Sequence, residues 1–179
     1  AIFEKVDPLY PIGFDENISK WFVDGGRRSD KLLLVVAESW GLMKDPAVQR
    51  ALLRPIYEVK DRLDWIEIGD SDSKTTTVDG ELRYLCGLGI RYINLKPVTD
   101  GFSDCLPWKL KSLGYTATAV HGASGSMHER KYWYPRLGFD EIYFGDTEAW
   151  KTRCYSFPGI CDREILDTFI PAVLGKTSR

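Results

Sequence analysis

The run Lys31-Leu-Leu-Leu-Val-Val-Ala-Glu-Ser39 sets its apolar residues, Leu32 to Ala37, in an unbroken row and ends them in a carboxylate and a hydroxyl. A short apolar run without period-two alternation is the pattern of a parallel strand buried on both faces. It is far short of the roughly 18 to 20 residues that a membrane helix needs. Parallel strands require crossover connections, usually helical, and their ligands gather beyond the carboxyl ends of the strands. Glu38 and Ser39, leaving this run, are therefore the first place to look for a site.

The rest of the chain alternates in the way such a sheet requires. Over residues 45–63, Val48, Leu52, Ile56, Val59 and Leu63 recur at steps of three or four, which predicts a helix that Pro55 should kink or split. A strand over 65–68, a polar loop over 69–77 and a helix over 78–85 follow. Then come a helix over 105–113, an extended run over 115–120, a helix over 129–137 and an extended run over 139–144. Ile165, Leu166, Phe169, Ile170 and Val173 mark a C-terminal helix, kinked before Pro171. Residues 1–30 hold Pro8, Pro11, Gly13, Gly25 and Gly26 without a sustained period, and read as an irregular segment or stem. With 179 residues, 44% of them hydrophobic, the chain can bury one sizeable core, so residues 31–179 are expected to form a single α/β sandwich around a largely parallel sheet.

Charge nearly balances, 24 Lys and Arg against 26 Asp and Glu, which argues against nucleic acid as a partner. The chain begins at Ala1 and carries no basic-then-apolar leader, and is expected to be a processed product or an excised piece. Cys86, Cys105, Cys154 and Cys161 form no CxxC pair, which speaks against structural zinc. By number alone they suit two disulfides or four reduced thiols equally.

Three segments stand at expected strand ends. Glu38 can hold a hard divalent cation through oxygen, or merely cap the next turn. In Thr75-Thr-Thr77, at the mouth of a helix, one hydroxyl can attack a phosphorus or sulfur centre if a metal or base activates it, or the threonines can supply an N-cap. In Val120-His-Gly-Ala-Ser-Gly-Ser-Met-His-Glu-Arg130, His121 can meet an oxyanion and Arg130 can clamp one through a planar fork. Alternatively, His121 is a bonded core histidine and Arg130 a surface residue. Gly122-Ala-Ser-Gly-Ser126 fails the spacing of a serine-hydrolase elbow, and neither a phosphate loop nor a dinucleotide loop exists.

At these three segments the chain resembles the alkaline phosphatase and sulfatase superfamily, in the branch of lipoteichoic acid synthases and other membrane-anchored phosphoglycerol or phosphoethanolamine transferases. Glu38-Ser39 corresponds to the branch's metal-binding Glu-Ser. Thr77-Val-Asp-Gly-Glu81-Leu82 corresponds to its nucleophile setting, Thr-x-x-x-Glu followed by an aliphatic or aromatic residue. Leu113-Gly-Tyr-Thr-Ala-Thr-Ala-Val-His-Gly122, then Arg130, then Tyr134-Pro-Arg-Leu-Gly-Phe-Asp140, looks like its Gly-Tyr-x-Thr, His-Gly, Arg, Gly-Phe-Asp signature.

The resemblance implies an alkaline phosphatase-like fold and an extracytoplasmic, metal-dependent phospho- or sulfo-transferase or hydrolase. Thr77 would be the nucleophile, Glu38 and Thr77 ligands of one divalent cation (manganese, zinc or magnesium), and His121 and Arg130 the substrate-binding residues. The substrate would be a phosphate- or sulfate-bearing lipid or glycan, and any membrane tether would lie in a segment absent from this chain. The family completes its metal site with an Asp-His pair and a further His, and no Gly-Asp-His motif is present. His128 stands where some relatives carry tryptophan, and Ala123 where some carry a polar residue. The chain is therefore expected to be the N-terminal part of a longer enzyme, ending at an open Lys176-Thr-Ser-Arg179, holding metal weakly and inactive alone. The alternative is a non-catalytic anion- or glycan-binding domain. The absence of a Cys-x-Pro-x-Arg site speaks against an ordinary sulfatase. Because the branch is exported, two disulfides are expected. Cys154–Cys161 is the favoured pair, because Tyr155-Ser-Phe-Pro-Gly-Ile160 contains turn formers, and Cys86 would then pair with Cys105.

Overall fold

The computed structural model describes residues 7–14, 29–37, 41, 43–69, 76–146, 150–155 and 159–175. Its centre is the helix α2 (Thr77–Cys86), which presents Val78, Leu82 and Cys86 at steps of four along one face. Val78 and Leu82 are fully buried there, together with Leu95, Phe102, Cys105, Trp133 and Leu137. Thr76 caps the helix by accepting the Asp79 N–H on its hydroxyl at 3.3 Å, and Gly87 closes it with a left-handed φ of 65°. A Cβ on Gly87 would stand 2.8 Å from the backbone of Gly13, so both the conformation and the space demand glycine.

Strand β1 (Leu9–Pro11) pairs antiparallel with β2 (Leu88–Ile90), and β3 (Thr118–His121) pairs in parallel with β4 (Glu141–Phe144). The fold is mixed α/β with two small sheets. The described residues hold one antiparallel and one parallel pair in separate two-stranded sheets, which is less than the largely parallel sheet expected from the sequence. Part of the expected irregular segment, Leu9–Pro11, is a strand, and Leu9 joins the core.

Two expected strands are absent among the described residues. Residues 31–37 have no regular structure, and Leu33, Val35 and Val36 are 49%, 61% and 44% exposed rather than buried on both faces. Residues 65–68 likewise form no strand. Apolar content alone does not make a strand, whose backbone groups need a ladder partner, and no described segment supplies one here.

The helices follow the sequence more closely. Helix α1 (Pro46–Glu58) starts on an Asp45 cap, with Ala47 N–H donating to its carboxylate at 2.8 Å, and continues through Pro55 without splitting. The helix has no buried residue, and Ala51, whose carbonyl loses its usual donor to Pro55, is exposed, so water can replace the missing bond. Helix α3 (Leu106–Ser112) follows Cys105. The expected helix at 129–137 is a short α4 (Arg130–Trp133) flanked by the single 3-10 turns Met127–Glu129 and Tyr134–Leu137. At the C-terminus, α5 (Asp162–Glu164) and α6 (Ile170–Gly175) enclose a π turn, Ile165–Phe169, just ahead of Pro171, whose missing N–H disrupts the regular ladder where a kink was expected.

Two disulfides staple this frame, Cys86–Cys105 and Cys154–Cys161, and no cysteine is free. They mark a chain that folds in an oxidising, extracytoplasmic environment. Among the described residues no helix is long and apolar enough to cross a membrane.

Candidate functional site

The parallel pair carries the chain into the loop after His121, and α4 returns from that loop toward α2. Glu81 is one helical turn beyond Thr77, hence on the same side of α2. Its carboxylate meets Arg130, whose Nε donates to both oxygens at 3.0 Å and whose Nη2 donates to Oε1. Tyr134 donates its hydroxyl to Oε2 at 3.1 Å, and His121 Nε2 approaches Oε1 at 3.5 Å. Arg130 also donates from Nη1 to the Met127 carbonyl at 3.1 Å.

The cluster is enclosed to different degrees. The Arg130 side chain is 1% exposed, Glu81 11% and His121 26%, so His121 is the member most open to solvent. Burial pushes the Glu81 carboxyl up, but the contacts with His121 and Arg130 outweigh it and hold the group below the usual carboxylate range. Burial opposes the Arg130 charge, and the bond to Glu81 with its negative charge more than restores it. Burial, seconded by the Glu81 charge, pushes the Tyr134 hydroxyl well above its ordinary value.

The loop after His121 is built on backbone contacts. Ala123 N–H donates to His121 Nδ1 at 3.1 Å, which fixes that nitrogen as the acceptor and leaves Nε2 to face Glu81. The Gly122 carbonyl accepts from Ile160 N–H at 2.7 Å, and the Ala123 carbonyl from Gly145 N–H at 2.8 Å. A Cβ on Gly159 would fall 2.7 Å from the Gly122 carbonyl oxygen, and one on Gly145 would overlap it. Asp146 completes the loop by accepting from Ser124 Oγ at 2.6 Å and Gly125 N–H at 3.2 Å. His128 and Glu129 have left-handed φ of 53° and 57°, two successive unfavourable conformations that turn the chain just before Arg130.

Of the residues picked out by sequence, His121 and Arg130 come together, joined through Glu81 to the helix that begins at Thr77. Arg130 is buried and ion-paired, neither the surface residue nor the open clamp that the sequence left as choices. Thr76 is the residue that caps α2, and Thr77 is its first helical position. Glu38, Ser39, Trp40 and Thr75 lie outside the described residues. Among the described residues no three His, Cys, Asp or Glu side chains gather as a cation site. Glu81, the carboxylate one helical turn beyond Thr77, is engaged by Arg130. Glu38 and Thr77 alone offer at most three oxygens, fewer than the roughly four to eight donors that zinc, magnesium or calcium-type sites use. Sequence reasoning treated Glu81 and Tyr134 only as parts of a motif. The i, i+4 spacing of Glu81 from Thr77 was the available signal for the first, and nothing local announced the second.

No family model, curated protein or solved structure matches the chain.

Proposed function

We propose that the chain is part of an extracytoplasmic phospho- or sulfo-transferase or hydrolase domain of the alkaline phosphatase and sulfatase type. Thr77 is its nucleophile, and His121 and Arg130 form the substrate side. The observation that carries this reading is the meeting of three segments distant in sequence, with Glu81 of the Thr77 helix bonded to Arg130 and approached by His121. In the reaction, Thr77 Oγ bonds to phosphorus or sulfur as the bond to the leaving alcohol breaks. The threonine proton is released and the leaving oxygen takes one up. Water or an acceptor hydroxyl then displaces the threonine. The substrate class is a phosphate- or sulfate-bearing lipid or glycan. The reading includes one divalent cation, manganese, zinc or magnesium, with Glu38 and Thr77 among its ligands. Those two side chains supply at most three oxygens, an incomplete set.

Intact-mass spectrometry of the full chain, mixed with a phosphoglycerol lipid and manganese, tests the assignment. A phosphoglycerol adduct on Thr77, lost in Thr77→Ala and kept in Thr76→Ala, supports it. Binding of the lipid headgroup without any adduct supports the second reading, a non-catalytic anion- or glycan-binding domain. The incomplete oxygen set favours that reading.

A further inference from the structure

The stretch Arg91-Tyr-Ile-Asn-Leu-Lys-Pro-Val98 leads out of β2 and mixes cationic with large apolar residues. Leu95 is fully buried and anchors it in the core, while Tyr92 and Ile93 are left 45% and 48% exposed. Asn94 N–H donates to the Tyr92 carbonyl at 3.1 Å, a three-residue turn with Ile93 at its apex. One exposed isoleucine needs no explanation by itself, but its surroundings here do.

Those surroundings are cationic. Lys96 and Lys131 set their ammonium groups over the one ring of Tyr132, at 4.6 and 5.3 Å from its centroid, and Arg91 lies over Tyr10 at 4.7 Å. Other surface lysines meet carboxylates, Lys109 at Asp104 and Lys111 at Asp140. Lys96 and Lys131 have no such partner at ion-pair distance among the described residues. Glu129 meets Lys96 only at its backbone N–H, at 3.3 Å, and Asp146 feels the Lys131 charge from farther off. Two like charges held against one ring repel each other, and an anion in front of both relieves that repulsion.

The face is fixed before any partner arrives. Arg136 donates from Nη1 to the Leu95 and Val98 carbonyls and from Nη2 to the Lys96 carbonyl at 3.0 Å, which ties the loop to the turn after α4. A preformed face loses little freedom on binding. A soluble polyanion would use the charges and leave Ile93 in water, and an apolar groove would take Ile93 and leave the charges unmet. A bilayer with anionic headgroups uses both, its phosphates facing the ammonium groups and its headgroup boundary receiving Ile93 and the tyrosine rings.

We propose that residues 91–98, together with Lys131 and Tyr132, form a face that docks on the surface of an anionic lipid bilayer. The inference stands apart from the proposed reaction and from any residue at Glu81.

Sedimentation of the full chain with phosphatidylglycerol vesicles, against phosphatidylcholine vesicles, tests it. The chain should bind the first and not the second, and less as salt rises. Lys96→Gln combined with Lys131→Gln should weaken binding by at least about tenfold, and Ile93→Ser by about threefold or more. Unchanged binding by Ile93→Ser would overturn the bilayer in favour of a polyanion met by charge alone. Unchanged binding by the lysine pair, equal binding to phosphatidylcholine, or no binding to either vesicle would overturn the face itself. Hydrogen exchange of the wild-type chain needs no variant: phosphatidylglycerol vesicles should protect residues 91–98 and 131–132, and protection confined to other segments would overturn the assignment.

Discussion

Cys86, the last residue of α2, is bonded to Cys105, the residue that precedes α3, and both are buried in the core. The bond fixes the far end of the helix whose first residue is Thr77. The other disulfide, Cys154–Cys161, closes a short surface loop, and Cys154 is exposed.

The two bonds should therefore reduce in order. Under graded dithiothreitol, Cys154–Cys161 should open first, because its sulfur is reachable without unfolding, and Cys86–Cys105 only when the core opens. The closed segments, with separations of 7 and 19 residues, predict losses of about 2 and 3 kcal/mol by chain entropy. Timed alkylation with peptide mapping checks the order, and simultaneous reduction would contradict it.

The threonines should separate stability from chemistry. Thr76→Ala removes the cap of α2 and should cost about 0.5 to 2 kcal/mol by denaturant unfolding. Thr77→Ala should leave the thermal midpoint closer to the wild type while abolishing the proposed covalent adduct. A larger loss of stability at Thr77 than at Thr76 would mean that the cap has been assigned to the wrong hydroxyl.

The buried ion pair should be costly to break and cheaper to remove whole. Arg130→Met leaves Glu81 without its main partner and should destabilise the chain by about 3 to 5 kcal/mol. Adding Glu81→Leu should recover part of that loss, giving a coupling energy well above zero in a double-mutant cycle. Strict additivity of the two single changes would indicate that the pair contributes nothing jointly.

Acid and alkali should act on the same cluster from opposite sides. Glu81 titrates below its ordinary value of 4.5 in the folded chain, so its contribution is complete above that pH and lost as pH falls through the lower folded value. Tyr134 titrates above 10, so stability holds below that pH and declines as the pH rises from there toward the raised folded value. Thermal midpoints across pH should fall at both extremes. Tyr134→Phe should flatten the alkaline side only, and an unchanged alkaline limb in that variant would remove Tyr134 from the account.

Helices were the more legible part of the sequence. Val78, Leu82 and Cys86 announce the buried face of α2 by spacing alone, and Asp45 before Pro46 announces the start of α1. Strands were harder, because a strand exists only with a partner. The apolar run at Leu32–Ala37 has none among the described residues, whereas Leu9–Pro11, preceded by Pro8 and itself ending in a proline, finds one in Leu88–Ile90. At the site, His121 and Arg130 could be singled out as chemically capable residues. Their meeting at Glu81 could not, since Arg130 and Glu81 are 49 positions apart and only folding makes them neighbours.

The contact of Gly122 with Gly145 and Gly159 limits how this loop can be altered. Three stretches of main chain touch there without any side chain between them, so the spacing near His121 is set by peptide groups and admits no graded adjustment. Residue choice can retune a pocket wall made of side chains one methylene at a time. Here even alanine at Gly145 or Gly159 would force two strands of backbone apart. Substitution in this loop should find tolerant positions at Ser126 and Met127, which are exposed, and none at these three glycines.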